Sequence, residues 1–316
     1  MKYLFFDIEC SNCDYGVGKM CEFGYVLTDE NLTILQEDDI PMSPGRGKEN
    51  AFKLKGREHE KDLELAYDEE YYFSCHEFPH FYERIRRLIE DPETLCFAFS
   101  MNNDISHLYN SCKRYRKNEY NYTCFDIQKL ACKYLDKNTQ VSLKEACKRI
   151  VGRNSTIKLQ EHLSRDDAKM EMMVFEAVCT LENKKPRDLL NEMDYAKTNS
   201  IEHMKTVREK LLKRQAVKNS KAYYKAHCDN DETLNNQDNI GKRFLLSSKL
   251  VLAHDKMKEA IKIIKENGGY VSQTIAQSDY FVAFDEENIS KILLGLREPY
   301  NGKFITYNDL INKTNY

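Results

Sequence analysis

The chain has 316 residues, 41% of them apolar, and a net charge of −3, which predicts two packed domains and excludes global disorder. That balance carries no overall basic signature of nucleic-acid binding, although a local basic patch is sufficient for it. Eleven cysteines without a signal-peptide pattern predict a reducing, cytoplasmic setting, and no apolar run reaches the ~18 residues of a membrane span.

The apolar run Tyr3-Leu4-Phe5-Phe6 reads as a buried strand that ends in Asp7-Ile8-Glu9. Side chains alternate along a strand, so Asp7 and Glu9 share one face while Ile8 points back into the core. Two neighbouring carboxylates repel unless a cation lies between them, and a hard divalent ion such as Mg²⁺ or Mn²⁺ suits oxygen ligands. A strand running out into solvent would also carry Asp and Glu there. Cys10 and Cys13 have the gap of a zinc knuckle, with Cys21 beyond, but no second pair follows. Buried free thiols are the better reading.

Residues 21–27 read as a second strand, residues 28–31 as a polar turn, and residues 32–35 as a third strand, giving an antiparallel meander. The acidic run Glu37-Asp38-Asp39 is expected where that strand leaves the sheet. Residues 41–50, with two prolines and two glycines, form a loop, and the stretch to Phe73 has no clear periodicity. Phe78, Phe81, Tyr82, Ile85, Leu88 and Ile89 recur at helical spacing. Residues 94–99 and 122–127 are strand candidates, with Asp104 just after the first. Residues 141–150 read as a helix broken by Gly152.

A longer helix begins near residue 164, with Ser164 as N-cap and Asp167 three residues later in the position of a capping-box acid. Met170, Met173, Val174, Ala177, Val178 and Leu181 form its core-facing stripe. His162 stands just ahead of it. Between Lys197 and Lys225 there are nine Lys or Arg against two Glu. This segment reads as a basic helix, either a solvated connector or a phosphate-contacting arm. Residues 229–239 read as a linker. Beyond it, strands at 243–246, 270–271, 280–284 and 304–305 alternate with helices, including an amphipathic one on Ile289, Ile292, Leu293 and Leu296. That pattern argues for a small parallel sheet.

Four acids and a histidine thus occupy comparable settings: Asp7 and Glu9 at a strand end, Asp104 after a strand, His162 ahead of Asp167 at a helix start. In this order they make the sequence resemble the DEDD-type 3′–5′ exonucleases of the histidine subfamily, which are DnaQ-like. The resemblance covers roughly residues 1–182 and rests on Phe6-Asp7-Ile8-Glu9, Asn103-Asp104 and His162 to Asp167-Ala168. Glu22-Phe23-Gly24 and Phe125 to Leu130 add to it. It implies an RNase H-like mixed-sheet α/β domain in which Asp7, Glu9, Asp104 and Asp167 carry two Mg²⁺ or Mn²⁺ ions. His162 is then the general base, and His107 its alternative. Asp166 competes with Asp167, and the family spacing favours Asp167. Cys10 stands where many members have Thr, and Phe99-Ser100 replaces their His-Asn pair, positions that shape the terminal-nucleotide pocket.

Residues 241–316 resemble a BRCT domain, through Phe244 to Leu250, Gly268-Gly269, residues 279–282 and Ile305-Thr306. The match puts Ser247 and Lys291 at the phosphate-gripping positions of phosphate-binding members. The resulting expectation is an exonuclease domain at 1–182, a basic helical arm and linker at 183–240, and a small parallel α/β BRCT-like domain at 241–316. The expected activity is metal-dependent 3′–5′ hydrolysis of nucleic acid in replication or repair. DNA is favoured over RNA because BRCT modules accompany DNA enzymes, and the module is a possible site for a protein partner. The alternatives are an exoribonuclease that trims RNA 3′ ends and a catalytically silent scaffold.

Overall fold

Strand β1, Lys2–Ser11, is apolar on both faces and so becomes an inner strand of a six-stranded mixed sheet. A computed structural model describes residues 1–12, 18–45, 52–55, 60–62, 64–152, 159–229, 241–295 and 300–312. They form two units, Met1–Val207 and Arg208–Tyr316. Cys13, Leu296, loop residues 46–50 and linker residues 230–239 lie outside the described residues.

In the first unit β1 pairs antiparallel with β2, Lys19–Asp29, which pairs antiparallel with β3, Ile34–Pro41. On its other side β1 pairs parallel with β4, Thr94–Ala98, which pairs parallel with β5, Thr123–Asp126. Strand β6, Lys197–Asn199, closes that edge antiparallel to β5. The order β3-β2-β1-β4-β5-β6 is an RNase H-like mixed sheet. It takes in residues past 182, because Leu189 and Leu190 of the short helix Pro186–Asn191 are buried in the same core as Tyr3 and Phe5.

The alternation of β1 divides two cores. Tyr3 and Phe5 join Phe97, Phe125 and Phe175 on one face, while Leu4, Phe6 and Ile8 join Phe23, Ile85 and Leu108 on the other. The first face is covered by a helix at Ser164–Leu181. Val174, Phe175 and Val178 are fully buried there, each stabilising the packing by about 1.5–3 kcal/mol. Phe175 rings lie 6.4, 5.9 and 5.2 Å from those of Tyr3, Phe5 and Phe97. Leu181, expected in the stripe, is 56% exposed because it falls in the helix's last turn.

Three local expectations are corrected. Leu32 lies in the turn with φ +65°, so β3 starts at Ile34 and the acidic run lies inside the strand. There Glu37 pairs with Lys169 at 2.8 Å, Asp38 pairs with Arg84, and Asp39 accepts from Tyr67 at 3.0 Å. Those partners hold the acids to neighbouring elements, so the run is no strand exit. The helix expected at 141–150 is a single α-turn, Leu143–Ala146, continued by a π-helical turn, Cys147–Val151. Gly152, at φ +125°, ends it.

The second unit has a four-stranded, all-parallel sheet. Its order is Tyr270–Ser272, Arg243–Leu246, Tyr280–Ala283, Lys303–Thr306. Gly268, at φ +73°, follows the helix His254–Glu266, as a left-handed helix end requires. The helix Glu286–Gly295 forms with Ile289 and Ile292 half-buried, while Leu293 and Leu294 are exposed, so the expected apolar face is covered only in part. The basic segment forms the helix Ser200–His227.

One contact ties the long helix of the first unit to its sheet. A methyl group built on Gly24 of β2 would stand 1.9 Å from the Arg165 nitrogen and 2.0 Å from the Ser164 carbonyl carbon. Backbone has to move to admit it, so Gly24→Ala is expected to cost about 1–3 kcal/mol or more. Denaturant unfolding measures this, and a wild-type midpoint would rule out the close approach.

Candidate active site

We label the helices by their place at the site: α1 is Asn102–Arg114, following β4, and α2 is Ser164–Leu181. Asp7 and Glu9 extend the face of Tyr3 and Phe5, so the carboxylates emerge where α2 crosses β1, while Ile8 is buried on the far side. Asp104 enters in the first turn of α1, 4% exposed. Asp167 enters in the first turn of α2.

The N-terminus of α2 is not capped as expected. Leu163 is the N-cap residue and has no capping side chain, and Ser164 is already helical. The cap comes from β2 instead. Glu22 Oε1 accepts from the Ser164 N–H at 2.5 Å and from Ser164 Oγ at 2.8 Å, and Glu22 Oε2 accepts from Tyr72 Oη at 2.6 Å. Ser164 Oγ also lies 2.9 Å from Asp39 Oδ1. A carboxylate from a neighbouring strand thus answers a donor that a helix start leaves unpaired.

Asp167 is therefore free of capping duty. Its Oδ2 accepts the backbone N–H of His162 at 3.1 Å. His162 has a left-handed backbone, φ +64°, which brings its ring back over the strand. His162 Nδ1 lies 3.3 Å from Glu9 Oε1. One ligand atom each from Glu9, His162 and Asp167 lie within 4.8 Å of one another. Asp166 turns elsewhere: it accepts from Gln160 at 2.9 Å and pairs with Arg165 at 2.8 Å.

Asp7 and Asp104 fall outside that group of three, but they are buried beside it and feel its charges. Burial and then the charges of Asp104, Glu9 and Asp167 push Asp7 well above the usual carboxylate range. Burial raises Asp104 as well, with Glu9 adding to it. Asp167 is pushed up to about 7, by burial and then by Glu9. Burial raises Glu9, and His162 pulls it back. Mutual repulsion of this kind is what a divalent cation relieves, and hard oxygen donors with one imidazole are a set that Mg²⁺ or Mn²⁺ accepts.

His107, on α1 beyond Asp104, has a buried Nδ1 with no partner, and burial lowers its pKa. It is outside the group around Glu9. Cys10 and Cys21 are free thiols. In the second unit Ser247 Oγ accepts from Leu250 at 3.2 Å as a helix cap, and Lys291 pairs with Glu287 at 2.5 Å. The two side chains thus have separate partners.

The sequence pattern does not mark Glu22 or Glu171 as site residues. Glu22 lies two residues before the glycine on which α2 rests. Glu171 is a charged residue four positions after Asp167, inside an otherwise apolar stripe, and is fully buried. That spacing is the signal by which it could be found.

No protein-family model and no curated protein matches the sequence. Among solved structures, E. coli Exonuclease I in complex with a dA16 oligonucleotide is 16% identical, with a TM-score of 0.47. The similarity covers 60% of this chain and 43% of that one, so the chain spans less than half the length of that protein. A 3'-exonuclease recognising the histone mRNA stem-loop is 15% identical over 58% of this chain and 83% of that chain, with a TM-score of 0.45. The nuclease domain of 3'hExo, a DEDDh family member bound to rAMP, is 13% identical over 58% of this chain and 94% of its own, with a TM-score of 0.46.

A pH dependence follows from the buried acids. Burial, with Asp39 beside it, lifts Glu22 to about 8, and Asp167 stands at about 7, against about 4 for both in an unfolded chain. Both bind their protons more tightly when folded, so the stability these two groups contribute is fully present below about pH 4 and is lost as pH rises toward 8. Melting in the presence of a chelator should show this decline, and Glu22→Gln should lessen it. Saturating Mg²⁺ or Mn²⁺ should remove the share that comes from Asp167. A melting temperature that rises across this window would refute the assignment.

Proposed function

We propose that the protein is a metal-dependent 3′–5′ exonuclease acting on nucleic acid, with DNA the favoured substrate. The observation that supports this reading is the group of Glu9, His162 and Asp167 at the end of β1, beside which burial and then the charges of neighbouring acids raise Asp7 and Asp104. Asp7, Glu9, Asp104 and Asp167 would hold two divalent ions, which when bound neutralise phosphate oxygens and ease deprotonation of water. The Glu9 contact at His162 Nδ1 favours a proton on that nitrogen and leaves Nε2 to accept one from the attacking water. The left-handed backbone at His162 and the Asp167 contact to its N–H keep the ring at the site's exposed mouth. The bond between phosphorus and the departing 3′ oxygen breaks as water's oxygen bonds to phosphorus, releasing a nucleoside 5′-monophosphate.

Asp7→Asn removes a charge from the centre of the group without changing its shape, and should abolish hydrolysis of 3′-end substrates. His162→Ala should lose about 10²–10⁴ in rate while still binding metal. Assays on labelled single-stranded DNA, duplex DNA and RNA, with and without EDTA, measure both. Wild-type rates in Asp7→Asn protein on every substrate would remove the reading, and inactivity of the wild type would leave the scaffold alternative.

A cleft of about 430 Å³ in the first unit supports nucleic acid as the partner. It is lined by Ser100, Asn102, Lys129, Lys133 and Lys137, among others. Lys129 and Lys133 lie one turn apart on the helix Ile127–Tyr134, Lys137 follows its end, and Asn102 opens the helix that carries Asp104. By composition the basic helix Ser200–His227 is a second candidate for phosphate contacts. Replacing Lys129, Lys133 and Lys137 by Ala should weaken binding of a single-stranded oligonucleotide. The slope of log affinity against log salt should become shallower by about 0.7 for each phosphate that the variant leaves unneutralised. An unchanged slope would exclude the cleft from the substrate path. The second unit, whose sequence resembles a BRCT domain, is read as an affinity or partner module outside the chemistry.

A further inference from the structure

Glu171 is a buried carboxylate that the expected set of four acids and a histidine does not use, and unlike Glu22, Asp126 and Asp166, whose hydrogen bonds go to neighbouring backbone and side chains, it keeps one oxygen unpartnered. It is 0% exposed. One oxygen, Oε1, accepts the Phe99 backbone N–H at 2.8 Å, and the other, Oε2, is buried with no hydrogen-bond partner. A buried, half-satisfied carboxylate costs several kcal/mol unless something offsets it. An amide would serve Phe99 as well, so the hydrogen bond alone gives no reason for a charge here.

The register of helix on strand says where the free oxygen stands. Asp167, Glu171 and Phe175 recur at intervals of four and form one stripe of α2. Tyr3, Phe5, Asp7 and Glu9 form one face of β1. Four helical residues rise about 6 Å and two strand residues about 6.6 Å, so the two rows stay in step. Phe175 lies against Tyr3 and Phe5. One turn back, the charge acting most strongly on Glu171 is Asp7, followed by Asp104. A further turn back, the charge acting most strongly on Asp167 is Glu9. Glu171 is therefore the rung between the aromatic core and the acids at the mouth, and it faces Asp7.

We propose that Glu171 is a fifth carboxylate of the divalent-cation centre, its free Oε2 answering the charge of the cation that Asp7 and Asp104 hold. This rests on the metal reading given under Proposed function. It makes Glu171 a positioning residue, because it lies beneath the acids and out of reach of substrate. Without a cation it adds repulsion beneath Asp7; with one, that repulsion becomes attraction.

Glu171→Gln tests this, since Gln keeps the shape and the acceptor for Phe99 but removes the charge. In the 316-residue chain, Mn²⁺ binding followed by the electron paramagnetic resonance signal of free Mn²⁺ should weaken about 10–100-fold. The metal-free variant should melt higher than the wild type. Wild-type Mn²⁺ affinity, or a metal-free variant that melts lower or does not fold, would overturn the proposal and leave Glu171 as an acceptor for Phe99 alone. Asp7→Asn in the same titration separates the two readings. If the wild type binds no Mn²⁺, the metal reading itself fails. If the wild type binds, Asp7→Asn does not and Glu171→Gln matches the wild type, only the role of Glu171 fails.

Discussion

The contact on which the first unit depends is the seating of α2 on β2. Gly24 presents no side chain, so the helix backbone at Ser164 and Arg165 comes down onto the strand. Glu22, two residues away on the same face, takes the first N–H of the helix. Together they fix both the height of the helix N-terminus and its angular setting. Since Asp167 and the backbone of His162 are joined at that terminus, the same contact fixes them relative to Asp7 and Glu9.

The apolar and polar parts of this helix pull in opposite directions. Val174, Phe175 and Val178 drive its C-terminal turns onto Tyr3, Phe5 and Phe97 through burial. The same register then carries Glu171 and Asp167 over Asp7 and Glu9, where like charges gather away from water. Packing outweighs repulsion because several large side chains are buried for every acid brought in. The acids answer by holding protons more tightly, as Asp167 does at about 7.

The polar network behind the helix has a different character from the acids in front. Glu22, Ser164, Asp39, Tyr67 and Tyr72 are joined by short hydrogen bonds. They link β2, β3 and the helix Glu69–Ser74 to the start of α2. A network with this many partners locks one arrangement of its elements. It also turns the acidic run of β3 from a surface feature into part of the scaffold.

Much of the site was legible in the chain itself. A strand's two-residue period puts Asp7 and Glu9 on one face whatever the fold around them, and the spacing of His162 to Asp167 holds them to one helix start. The alternation of strands and helices in the last 70 or so residues was sufficient for a small parallel sheet. These are local properties, set by backbone geometry over a few residues. Tertiary structure alone decided what α2 rests on: its cap is Glu22, 142 residues earlier in sequence, in place of Ser164. It also decided that β6 joins the first sheet and Leu189 its core, and that Glu171, marked in sequence only by its place four residues past Asp167, turns inward. Each depends on which surfaces meet, and a residue's own neighbours in sequence carry no record of that.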